Sequence, residues 1–124
     1  MDNLSKKNNY LNRTNNINSF LREAKDTLHK EGCLVSADIF GFILTNTEVG
    51  RIGQNLETII ESVDFISPMV YPSHYSNGSF GYQYPNSHPY EVVSAALNDG
   101  LERGVPEIQL RPFLQGLSLI HIWR

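Results

Sequence analysis

The sequence predicts an α/β fold assembled from successive parallel βα units. Apolar stripes at helical spacing alternate with short apolar runs, and the runs stop abruptly in polar, proline-marked loops. The clearest run is Phe65-Ile66-Ser67-Pro68-Met69-Val70, too short for a globular helix and marked by Pro68 and the following Pro72, which cannot donate ladder hydrogen bonds. It reads as a strand of a buried parallel sheet, with Tyr71 to Tyr75 as its C-terminal loop. In such folds ligands collect outside the carboxyl ends of the strands, so the search for a site begins there.

Along the chain, Met1 to Asn18 is rich in asparagine and lysine with almost no apolar period, and is expected to be loop or disorder. Ile17, Phe20, Leu21, Ala24 and Leu28 then fall on one helical face, with Asn15 or Asn16 available as a cap and Gly32 as the stop. Cys33 to Ala37 is a second apolar run, ending at Asp38-Ile39-Phe40-Gly41 with a carboxylate at its carboxyl end. Ile52, Leu56, Ile59, Ile60 and Val63 form the stripe of a second helix that leads into Phe65–Val70. After a long loop, Ser73 to His88, Pro89 opens a third helix carrying Val93, Ala96, Leu97 and Leu101 before Gly104 and Pro106 break it. Glu107 to Leu110 reads as a third strand running into Arg111 to Gln115.

Three βα units cannot close a barrel, and a three-stranded sheet leaves long unpaired edges. A full (β/α)8 barrel takes about 250 residues, so the 124-residue chain is expected to be a partial (β/α)8 TIM barrel, about three βα units of the second half. The expected division is a low-complexity lead-in over 1–16, the partial barrel over 17–116, and a tail over 117–124. Leu117 to Ile122 reads as the translation of a transposon-end sequencing adaptor, so the tail, with Trp123, is expected to be non-native.

A net charge of −3, with no basic run, excludes a nucleic-acid footprint. The single cysteine, Cys33, excludes an internal disulfide and a cysteine metal cluster, and is expected to be a small buried filler. No segment approaches the roughly 18 apolar residues of a membrane span, and no cofactor or metal is implied.

Several separated motifs in order carry a resemblance: Ser36-Ala37-Asp38-Ile39-Phe40-Gly41, Ile52-Gly53-Gln54, Asp64 to Tyr75, Pro85-Asn86, Pro89-Tyr90-Glu91, and Arg111-Pro112-Phe113-Leu114-Gln115. Over about residues 13–115 the chain resembles the putative glycoside hydrolase domain family of bacteria, whose members are (β/α)8 barrels. Phe113 stands where that family has tryptophan, which keeps an aromatic wall without the indole N–H. The resemblance implies that earlier strands, one ending in an aspartate- and arginine-containing motif, complete the site.

Asp38, at a strand end facing the barrel mouth, is then the candidate catalytic carboxylate, as acid, base, nucleophile or sugar-hydroxyl acceptor; the bland reading is a capping aspartate. Tyr71, His74 and Tyr75 suit sugar binding, by ring stacking and polar tips, better than chemistry. Arg111 and Gln115 are expected to bind hydroxyls or a carboxylate-bearing sugar, although Arg111 could equally be an ion-pair partner. Tyr82 and Tyr84 are either a subsite wall or rim cover, His88 reads as a surface residue, and Met69 as core. Asp64 precedes its strand and belongs to the opposite, stabilising face. Two function classes follow: a glycoside hydrolase acting on a polysaccharide or oligosaccharide, extracellular or at the cell envelope in the full-length protein, and a non-catalytic carbohydrate-binding barrel. Metal-dependent deacetylation is weaker, because Asp38, His74 and His88 are too few and unevenly spaced.

Overall fold

The computed structural model describes residues 3–47 and 52–116. It holds α1 (Asn3–His29), β1 (Ser36–Phe40), α2 (Leu56–Ser62), β2 (Phe65–Val70), α3 (Pro89–Glu102) and β3 (Phe113–Leu114). The strands form one parallel sheet in the order β1-β2-β3, so α2 and α3 are the crossovers between neighbouring strands. This is a mixed α/β architecture, and β2 occupies the span expected of it.

Alternation along the strands separates two faces. Ile39, Ile66, Pro68 and Val70 point toward the helices and are buried; with Ile43, Leu44, Leu56, Ile59, Val63, Ala96 and Val105 they fill the core. The other face carries Ser36, Asp38 and Phe40, in register with Phe65, Ser67 and Met69, and no described helix or strand covers it.

The first helix is longer than expected. The asparagine-rich stretch before Ile17, expected to be loop, is helical from Asn3 onward, so neither Asn15 nor Asn16 caps it. Its packing is polar: Thr14 and Asn18 are buried while Phe20 is 69% exposed. Asn18 donates to Thr58 Oγ1 at 2.8 Å, Arg22 Nε to Ser62 Oγ at 3.3 Å, and Lys25 Nζ to the Val63 carbonyl at 3.3 Å. Apolar periodicity missed the first turns because residues 7–16 are exposed apart from Tyr10 and Thr14 and offer no apolar stripe. Its end is as expected: Gly32, at φ +75°, lets the Cys33 N–H reach the Leu28 carbonyl and its own N–H the His29 carbonyl.

Cys33 lies in that exit loop and is exposed, which corrects its assignment as buried filler. Strand β1 starts three residues later than the apolar run, at Ser36. Helix α2 is short because Asn55 caps it, accepting from the Thr58 N–H at 3.0 Å, which leaves Ile52 in the preceding loop. Gly53 is required there: at φ +73°, a Cβ would run into Arg13 and Ile17 of α1. Gly41 is required after β1, since a Cβ would collide with the Met69 carbonyl.

The third strand is displaced from its expected place. Residues Glu107–Gln109 form a 3-10 turn, Leu110 makes an isolated bridge to Ile66, and the ladder resumes only at Phe113–Leu114. Pro68 explains the gap. The Ile66 carbonyl accepts from the Arg111 N–H at 2.9 Å, but the next donor on that edge of β2 would be the N–H that Pro68 lacks. The tail over 117–124 lies outside the described residues. Among the described residues no helix is long and apolar enough to cross a membrane.

Candidate functional site

On the open face the register stacks side chains in rows. Phe40, Met69 and Phe113 form a row across all three strands near their carboxyl ends. One level down lie Asp38 and Ser67, and below these Ser36 and Phe65. Asp38 is therefore in mid-strand, two residues before the end of β1, which corrects its expected position at the terminus. The strand starts only at Ser36 and runs on through Ile39 and Phe40 before the chain turns at Gly41. The carboxylate is exposed and sits beneath a partly exposed aromatic row, Phe40 at 42% and Phe113 at 46%. Ser67 is buried, its Oγ 3.0 Å from Ser36 Oγ.

Beyond the strand ends, Phe40, Gly41, Phe42, Met69, His74 and Tyr75 line a cleft of about 160 Å³. Phe40 stacks on Phe42 at 5.4 Å between centroids, and Tyr71 meets His74 edge-on at 5.2 Å. His74 is exposed and Tyr71 half-buried, so both rings stand at the carboxyl end of β2. Tyr75 differs. Its ring packs edge-on against Phe80 at 5.1 Å, and its hydroxyl is buried with no hydrogen-bond partner. Burial, with the Asp99 carboxylate adding to it, pushes the phenol up to about 12.

The other two candidates are held apart from this cleft. Arg111 precedes β3 rather than following it, and its guanidinium lies 3.3 Å from the centroid of the Phe65 ring on the lower part of the open face. Gln115 is buried; its Oε1 accepts from the Ser73 N–H at 3.0 Å and its Nε2 donates to Asn86 Oδ1 at 3.3 Å. It thereby ties β3 to both ends of the β2–α3 loop. In that loop His88 stacks on Tyr82 at 4.3 Å, while Tyr84 is 61% exposed.

Asp64 is placed on the amino-terminal side, as expected. It joins Lys25 at 3.3 Å and His29 at 2.8 Å and accepts from the Val35 N–H at 2.8 Å. Phe113 was expected as an aromatic wall, but the row it belongs to was not: Phe40 was not a candidate and Met69 was taken for core. The signal was available, since starting the strand at Ser36 puts residues 36, 38 and 40 on one face. Among the described residues no three His, Cys, Asp or Glu side chains gather as metal ligands.

Fold and site together define a parallel α/β chain that displays one carboxylate under an aromatic row, with further rings at the strand ends. The chain belongs to the family described as "Putative glycosyl hydrolase domain", which matches residues 2–122. Neither the curated proteins nor the solved structures gave a match.

Proposed function

We propose that the chain is three βα units from the second half of a (β/α)8 barrel, and that the parent barrel hydrolyses glycosidic bonds in a polysaccharide or oligosaccharide. The observation that carries this, beside the family, is the open face: a parallel sheet whose uncovered side bears Asp38 beneath Phe40, Met69 and Phe113. Curling that sheet around further strands turns this side inward, where Asp38 meets a sugar stacked on the aromatic row. Glycoside hydrolysis needs two carboxyl groups, one protonating the leaving oxygen and one attacking the anomeric carbon or activating water. Asp38 supplies one. The second comes from strands that this chain does not contain, because the described residues of the open face include no other carboxylate.

In this reading His74 and Tyr71 hold the sugar beyond the strand ends, and Arg111 steadies the Phe65 end of the barrel interior. Gln115 shapes the β2–α3 loop that carries the rings. The lone carboxylate equally favours the second reading, a barrel that binds carbohydrate without cleaving it. Incubating the parent protein with a panel of polysaccharides separates the two. Release of new reducing ends is the expected result, whereas retention on an insoluble polysaccharide with no release would establish the binding barrel.

A further inference from the structure

The outer edge of β1 faces away from β2 and, among the described residues, belongs to no ladder. Odd-numbered residues of this strand turn their backbone groups toward β2, as when the Val35 carbonyl accepts from the Phe65 N–H at 3.1 Å. Asp38 and Phe40 consequently turn theirs outward. A neighbouring parallel strand would present one residue there, its N–H donating to the carbonyl of residue 38 and its carbonyl accepting from the N–H of residue 40. The side-chain amide of Gln54 makes those two bonds: its Oε1 accepts from the Phe40 N–H at 3.0 Å and its Nε2 donates to the Asp38 carbonyl at 3.4 Å. The partners fix the orientation of the amide, since an N–H faces one end and a carbonyl the other.

We propose that Gln54 is a positioning residue for Asp38, its amide standing in for the N–H and carbonyl of a strand residue and fixing the backbone from which the carboxylate projects. This rests on the reading of Asp38 as a working carboxylate. The chain around Gln54 is built to hold it. Gly53 lies against Arg13 and Ile17 of α1 where no side chain fits, and Asn55 is pinned as the cap of α2. Gln54 thus stands between two anchored residues with its amide directed at the edge of β1. Phe40, held by the same amide, belongs to both the aromatic row and the cleft, so one side chain sets the carboxylate and the ring above it.

Two substitutions test the proposal. Gln54→Met keeps length and loses both bonds. Gln54→Glu keeps the acceptor for Phe40, and only its protonated form can also donate to the Asp38 carbonyl. By hydrogen exchange, Gln54→Met should speed the Phe40 amide about tenfold, the loss of about one hydrogen bond, while the β2-facing amides of β1 keep their rates. In the parent protein, Gln54→Met should lower kcat about 10- to 100-fold, the effect of a small misplacement, with KM little changed. Gln54→Glu should regain turnover as pH falls toward protonation of the new carboxyl, a profile that a purely structural brace would not give. Should Gln54→Met fail to fold, Gln54→Glu alone decides by that profile. An unchanged Phe40 rate would show that the edge bond does not exist. Full kcat in Gln54→Met, where Asp38→Asn is inactive, would show that the bond exists without positioning anything. If Asp38→Asn itself turns over normally, the functional reading fails and the positioning role with it, and Phe40 exchange still reports the bond separately.

Discussion

Replacing Asp64 by asparagine removes the charge that ties the end of α1 to the start of β2. Burial pushes the Asp64 carboxyl up, but the His29 ring, the Val35 N–H and Lys25 outweigh it and bring it down from its ordinary 3.8 to about 2. A difference of that size sets a ceiling of about 2 kcal/mol of stability at neutral pH. The Lys25 and His29 side chains are 26% and 40% exposed, and solvent screening reduces the figure to on the order of 1 kcal/mol. Because the folded pKa is depressed, this stability is present above the unfolded value near 4 and is lost as pH falls toward 2. Urea unfolding of the parent chain and Asp64→Asn at pH 7 and at pH 2 measures it directly. The variant should be weaker at pH 7 and should match the parent at pH 2. A gap of the same size at both pH values would refute the electrostatic argument and leave only a packing difference.

Arg103→Ala should destabilise the chain by about 2 kcal/mol in the same assay, since a half-buried charged hub and its acceptors lose one another. Its Nη1 donates to the carbonyls of Ile43, Leu44 and Asn46 at 2.6, 3.1 and 3.3 Å, and its Nε to Glu57 Oε1 at 3.1 Å. Lysine should recover only part of this, having no planar fork. Tyr75→Phe should cost nothing and stabilise by up to about 1 kcal/mol, because the hydroxyl it removes is buried without a partner. A marked rise in KM in that variant would instead return Tyr75 to the sugar site, and ultraviolet titration of the parent chain should find one phenol ionising near pH 12.

How much of this was legible depended on what seats each element. Phe65–Val70 and the Pro89 start of α3 could be read directly, because an apolar run between polar signals and a proline at a first helical turn act locally. The early turns of α1 could not, since residues 7–16 are exposed apart from Tyr10 and Thr14 and leave no apolar period. The third strand was misplaced through a long-range cause: Pro68, on a different strand, withholds a ladder donor some forty residues from where the gap appears. For the candidate site, residue type alone singled out Asp38, Tyr71 and His74 as candidates, and their placement was not legible. Their heights on the sheet, the inward turn of the Tyr75 hydroxyl and the burial of Gln115 depend on register and loop packing that a linear pattern does not carry.

The central claim is that the carboxylate on the open face does chemistry, and Asp38→Asn in the parent protein tests it most directly. Asparagine keeps size and most hydrogen bonding while removing charge and proton exchange, so kcat on a cleaved polysaccharide should fall by about 10²- to 10⁴-fold with sugar binding largely retained. By contrast, Tyr71→Ala and His74→Ala should mainly raise KM. Turnover by Asp38→Asn at the parent's rate, with folding intact, would make Asp38 a structural residue and place both catalytic carboxyl groups outside this chain.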